Sequence, residues 1–214
     1  MPSSSTAPRL RLITGPAHGR RADSPSETDR GPTDEALVGR ARSGDISAFE
    51  VLYRRHAAFA LNLSVRIQGN AADVEDIVHD AFLRAHQRLL ELRDTTAFRS
   101  WLGSIVVRLV RTRLRRRRLT AMLGLSAPDP VDLDAVAATD ADPEARAILA
   151  QVYALLQTLP TDERIAWTLR HVERHRLANV AALTGCSLAT AKRRILRAER
   201  FLDEHFVAPF EEES

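Results

Sequence analysis

Cysteine and lysine are almost absent from this chain of 214 residues. A single cysteine, Cys186, rules out an internal disulfide and a cysteine-rich zinc site, and fits a reducing compartment. A single lysine, Lys192, leaves arginine to supply nearly all of the 31 basic side chains. Arginine's planar donor fork suits phosphates and base edges, although a GC-rich genome produces the same bias. No apolar run approaches the roughly 20 residues that span a bilayer, so no membrane insertion is expected. The opening residues have no apolar segment followed by a cleavage site. No secretory leader is therefore expected, and the expected location is cytoplasmic. No stretch sustains the apolar–polar alternation of a strand. There is no Gly-rich phosphate loop and no cluster of carboxylates or metal ligands in the basic regions, so the expectation is no enzyme, no metal and no cofactor.

Two local absences say more than the net charge of +3. From Thr95 to Arg118 there is no acidic residue, and from 119 to 143 there is no basic one. The second stretch holds Asp129, Asp132, Asp134, Asp140, Asp142 and three prolines, the composition of a flexible acidic linker between domains.

What is present is helical periodicity, backed by a hydrophobic content of 44% that suffices for packed cores. Asp45 can cap a helix that Gly69-Asn70 breaks. The next helix is expected from about Ala72 to Leu92, with Val74, Ile77, Val78, Ala81, Phe82, Ala85 and Leu89 on one face. A third starts near Thr96 and carries Phe98, Trp101, Leu102, Ile105, Val106, Leu109 and Val110. Beyond the linker, Asp142-Pro143 opens a helix that Pro160 ends. Thr161 can cap another, and two more follow at about Leu177–Leu183 and Leu188–His205. The expected fold is all-α. A disordered tail (1–32) precedes a three- to four-helix bundle (33–118); the linker (119–142) leads to a helix-turn-helix domain (143–207) and an acidic tail (208–214).

Three patterns point to chemistry. The last two helices flank Thr184-Gly185-Cys186-Ser187, and the turn and spacing suit a helix-turn-helix. With Leu188, Ala191 and Ile195 facing a core, Thr190, Lys192, Arg193, Arg194 and Arg197 are left for a major groove, or for a solvated basic face. In the third helix Arg108, Arg111, Arg115 and Arg118 recur at helical spacing, with Arg99 and Trp101 near its start. Such a stripe can hold phosphates and stack a base, unless Trp101 belongs wholly to the core. In the second helix Asp73, Asp76 and Asp80 share a face, with Glu75 and His79 beside it. That face can dock a basic partner helix, or merely favour its own helix N-terminus and solubility. His171 and His175 lack a third ligand, and Cys186 lacks a base partner; neither is read as a site.

These residues resemble the extracytoplasmic-function sigma factors of bacterial RNA polymerase. Asp73-Val-Glu-Asp-Ile-Val-His-Asp-Ala-Phe-Leu-Arg-Ala85 is similar to the family's polymerase-docking helix, and Phe98-Arg-Ser-Trp-Leu-Gly-Ser-Ile-Val106 to its downstream-element segment. Leu159-Pro160, Thr190-Ala-Lys192, Arg194 and Arg197-Ala198 match its second domain. The resemblance implies a sigma subunit that directs core polymerase to promoters and assists strand opening. It implies docking on a coiled coil of the largest polymerase subunit through Asp73, Glu75, Asp76, His79 and Asp80. It also implies downstream-element contacts by Arg99, Trp101, Arg108, Arg111, Arg115 and Arg118, and upstream-element contacts by Thr190, Lys192, Arg193, Arg194 and Arg197. An anti-sigma factor is an expected further partner. The competing expectation is a stand-alone helix-turn-helix regulator that does not bind polymerase. Gly103 stands where the family usually has Tyr, Arg108 where it often has Asn, and His79 and His86 where Gln and Trp are common. The linker is expected to thread toward the polymerase cleft, or to fold back on the arginine face of the third helix.

Overall fold

The computed structural model describes residues 31–125, 130–136 and 142–207, and among these the chain is all-helical with no strand. The expected tails up to residue 30 and from 208 onward, like Asp129 and Asp140 of the linker, lie outside the described residues.

The first half is a bundle of α1 (Asp34–Arg42), α2 (Ile46–Gln68), α3 (Val74–Gln87) and α4 (Phe98–Met122). Local chemistry fixes their ends. The Thr33 and Asp45 side chains accept the backbone N–H groups of Ala36 and Ala48 and so cap α1 and α2. Gly69 closes α2 in the left-handed region at φ +71°, a conformation that carries no steric penalty for glycine. α3 ends at Gln87, earlier than the expected Leu92; a 3-10 turn, Leu89–Glu91, continues the chain. Arg42 explains the break, because its guanidinium takes the carbonyl oxygens of Leu89 and Leu92. α4 runs on to Met122, four residues past Arg118, on Arg- and Leu-rich sequence that favours helix. Burying a leucine-sized side chain is worth about 1.5–3 kcal/mol. Leu52, Leu63, Ile67, Leu102 and Val106 are all essentially inaccessible, which places α2 and α4 at the centre of the bundle.

Within the linker, α5 (Leu133–Val136) forms a single turn. The Asp132 N–H donates to the Gly69 carbonyl at 2.9 Å, and the Asp132 carboxylate accepts the Ala135 N–H. Half-buried Val131, Ala135 and Val136 attach this piece to the core, so part of the expected tether is docked.

The second half holds α6 (Pro143–Thr158), α7 (Thr161–Trp167), a π-helical turn (Thr168–Val172), α8 (Leu177–Thr184) and α9 (Leu188–His205). Asp142 caps α6 ahead of Pro143, as its sequence implies. Thr161 does not cap α7. Pro160 is the N-cap residue and Thr161 lies inside the first turn, buried.

The two halves share one core. Ile165, Leu169, Val180, Leu183 and Ile195 are buried in the same cluster as Leu52, Leu102 and Val106. A second cluster, Val152, Tyr153, Leu156, Leu159, Trp167, Ala198 and Leu202, belongs to the second half alone. Gly103 makes the close approach possible: a Cβ there would lie 3.2 Å from Leu183 Cδ2 and 3.4 Å from Phe59 Cζ.

Candidate polymerase and nucleic-acid interfaces

The expected acidic stripe divides in two. Glu75, Asp76, His79 and Asp80 are exposed on α3. Asp73 is exposed as well, but its carboxylate is engaged within the chain. It precedes α3 at φ +56°, makes no side-chain cap, and turns its Oδ2 to Arg113 and, at 2.9 Å, to Arg117. The hydrogen bond from Arg113 holds its carboxyl below the usual carboxylate range. Asp73 thereby ties the start of α3 to α4 and lines a groove with Ile77, Asp80, Leu109, Arg113 and Arg116.

On α4 the basic residues split between two sides. Arg113 and Arg117 face α3. Arg111, Arg115 and Arg118 face the second half. Arg111 Nη2 donates to the Thr184 carbonyl at 2.7 Å, Arg115 Nη2 lies 2.9 Å from Asp162 Oδ2, and Arg118 Nη1 donates to the Leu159 carbonyl at 3.0 Å. Arg108 is exposed. Arg99 is also exposed and lays its guanidinium over the Phe59 ring, 4.3 Å from the centroid. Trp101 is half-buried against Phe98, with ring centroids 6.1 Å apart, so it is neither fully core nor free.

The helix-turn-helix is formed by α8, the Gly185-Cys186-Ser187 turn and α9. Gly185 is left-handed at φ +64° and the Ser187 hydroxyl accepts the Thr190 N–H at 3.2 Å. Ala191 and Ile195 face the core as expected, but Leu188 is 55% exposed. By angle Leu188 belongs with Ala191 and Ile195, but it is the first residue of α9 and stays exposed there. Thr190 is half-buried and accepts a hydrogen bond from Ser187. Lys192, Arg193 and Arg197 are exposed, whereas Arg194 turns inward to Asp162 Oδ2 at 2.7 Å. The open face of α9 instead groups Ala189, Lys192, Arg193, Leu196, Arg197 and Arg200. Leu196 and Arg200 lie three and seven residues beyond Arg193, on one helical face, a spacing that is legible in the sequence.

His171 stacks on Trp167 with centroids 5.0 Å apart and bonds Glu199 at 2.9 Å; burial pushes its pKa down, against the pull of Glu199. Among the described residues no group of three His, Cys, Asp or Glu side chains is placed to hold a metal, and Cys186 is half-buried with its Sγ 3.2 Å from the Thr184 hydroxyl.

Two family models match the chain: Sigma-70 region 2 over residues 52–120, and Sigma-70 region 4 over residues 149–202. The chain is 31% identical to the RNA polymerase sigma-H factor of Pseudomonas aeruginosa over 178 residues, covering 80% of this chain and 92% of that one. It is 30% identical to the ECF RNA polymerase sigma-E factor of Escherichia coli K12 over 187 residues, covering 80% and 93%. This chain belongs to the ECF sigma factors of RNA polymerase. As a sigma factor it is a DNA-binding transcription initiation factor that directs core polymerase to promoters. The region 2 match overturns the competing expectation of a stand-alone helix-turn-helix regulator. Among solved structures, CnrH in complex with the cytosolic domain of CnrY is 28% identical, with a TM-score of 0.54 over 80% of this chain and 95% of that one. The sigma factor RpoE in complex with the anti-sigma factor NepR, from Bartonella quintana, shares the fold at 20% identity, with a TM-score of 0.57 over 73% and 94%. Among the described residues no helix is long and apolar enough to cross a membrane.

Proposed function

We propose a division of labour among three surfaces of this sigma factor. The exposed carboxylates of α3, Glu75, Asp76 and Asp80 with His79 beside them, dock on a basic coiled coil of the largest polymerase subunit. Asp73 acts behind them as the residue that fixes the start of α3 against Arg113 and Arg117. The α4 face, Arg99, Trp101, Arg108, Arg111, Arg115 and Arg118, receives the downstream element once it leaves the duplex, and capturing unpaired bases draws strand opening forward. The α9 face reads the upstream element as duplex through Lys192, Arg193 and Arg197, with Leu196 and Arg200 added to it. Thr190 and Arg194 support that face, one through the α9 cap and the other through Asp162.

The observation that carries this reading is the exposure of Asp76 and Asp80 on a helix whose opposite side, Ile77, Val78 and Ala81, is buried. A charged face held rigidly by a packed one suits electrostatic docking. The protein does no covalent chemistry of its own and works in the cytoplasm beside polymerase. An anti-sigma factor is a further partner, a role supported by the NepR complex of RpoE. Co-purification with core polymerase tests the docking face. Asp76→Arg with Asp80→Arg abolishes it while helicity by circular dichroism stays intact; undiminished co-purification overturns the assignment.

A further inference from the structure

Three guanidinium groups converge on one carboxylate where the two halves meet. Arg115 and Arg194 reach Asp162 Oδ2 at 2.9 and 2.7 Å, and Arg111 Nε stands 3.1 Å from Oδ1. Arg111 and Arg115 come from α4, Arg194 from α9, and Asp162 from the first turn of α7. An acid in that turn is favoured by its own helix N-terminus. That accounts for an acid at 162, but not for two arginines of the other half turning to meet it. Adjacent carbonyl oxygens complete the cover, since Thr184 takes Arg111 and Leu159 takes Arg118. A carboxylate on an arginine fork offers the charge and acceptor geometry of a phosphate.

We propose that the protein has a closed, self-masked state in which the second half covers the arginine stripe of α4, with Asp162 standing in for a nucleic-acid phosphate. The inference rests on the assignment of that stripe to DNA. Nucleic acid and the second half then compete for the same guanidinium groups. The apolar side of the closure is Leu183 seated over Gly103, the position where the family usually has Tyr; a side chain there would meet both Leu183 and Phe59. The polar side is not ideally satisfied. Arg111 Nε and Asp162 Oδ1 are buried in ionic contact, yet neither atom has a hydrogen-bond partner. Buried charges paired this way gain little net stability, so a polyanion or polymerase can displace the cover. Among the described residues the masking carboxylate belongs to α7; of the linker aspartates, Asp132 is used on the Ala135 N–H and Asp134 on Arg146.

The test uses the full chain and two variants, Asp162→Asn and Leu183→Glu, with helicity checked by circular dichroism. The first is nearly isosteric. The second adds negative charge, so any gain in DNA affinity comes from uncovering rather than from electrostatics. Small-angle scattering reads the separation of the halves, and fluorescence anisotropy reads affinity for a short duplex of arbitrary sequence. A closed state favoured by about ten to one predicts that both variants expand and bind the duplex about tenfold more tightly. Scattering unchanged from the parent in both variants overturns the closed state. Expansion with unchanged affinity overturns the masking. Promoter binding by holoenzyme carrying Arg111→Ala and Arg115→Ala then separates the two ideas: weakened binding keeps the DNA assignment of α4, and undiminished binding removes it as well.

Discussion

Arg164 Nε on α7 donates to the Ile67 carbonyl oxygen at the end of α2, 3.1 Å away and 97 residues distant in the chain. The same guanidinium takes the Gln68 carbonyl, and Tyr153 Oη donates to the Arg66 carbonyl at 3.0 Å. The last carbonyls of a helix have no partner within it, so α2 is capped by the second half of the protein. A cation there also faces the negative end of the α2 dipole. Burial pushes the Arg164 pKa down to about 10, still charged at neutral pH. Arg164→Met strips the carbonyls of their donor and is expected to cost about 2–4 kcal/mol. Thermal unfolding by circular dichroism checks this, and a cost near zero contradicts the capping role.

Gly69 sits in the same junction. At φ +71° any other L-residue costs about 1–2 kcal/mol, and a Cβ there would lie 2.8 Å from Tyr153 Cδ1. Gly69→Ala therefore destabilises by at least that amount, and Tyr153→Leu in the same chain recovers part of the loss. Chemical denaturation of the single and double variants measures the coupling.

Asp45 governs part of the acid response. Hydrogen bonds from Ser47, Arg40 and the Ala48 N–H, the Ser47 hydroxyl foremost, lower its pKa from 3.8 to about 2. A depressed folded-state pKa gives stability that is complete above the unfolded value and is lost as pH falls toward the folded one. Asp45→Ala thus flattens the decline in stability between 3.8 and about 2. Denaturation midpoints across that window check it, and parallel curves for the two proteins contradict it.

On α9 the neighbouring arginines separate by role. Arg193→Ala in the holoenzyme is expected to cost about 1–3 kcal/mol at the cognate promoter and to relax base preference. Arg194→Ala, whose guanidinium is engaged by Asp162, costs less on DNA and more in thermal stability. Promoter-fragment binding combined with melting distinguishes them; a larger DNA loss for Arg194→Ala reverses the assignment.

Elements governed by local chemistry were legible in the residues. Asp45, Asp142 and Gly69 terminate helices where their side chains or backbone freedom say they must, and α8 and α9 lie where periodicity puts them. The exposed acids of α3 and the basic face of α9 follow from helical spacing alone. Relationships across long separations were not legible. Periodicity places Arg111, Arg115 and Arg118 on one face but says nothing of what lies opposite, which here is α7 and the end of α8. Gly103 read as a departure from a pattern, and its reason, Leu183, lies 80 residues on and shows only in the packed structure. The turn at Leu133–Val136 was hidden by aspartates that suggested a solvated tether, although one of them, Asp132, supplies the cap.

On the proposed division of labour, promoter choice by α9 and α4 reaches polymerase only while the α3 face is docked on it. Run-off transcription with purified core polymerase on genomic fragments measures it directly. The expected result is discrete transcripts from a subset of fragments, present with the parent chain and absent with Asp76→Arg and Asp80→Arg. No added transcripts with the parent chain, or the same transcripts at the same level with the variant, would contradict it.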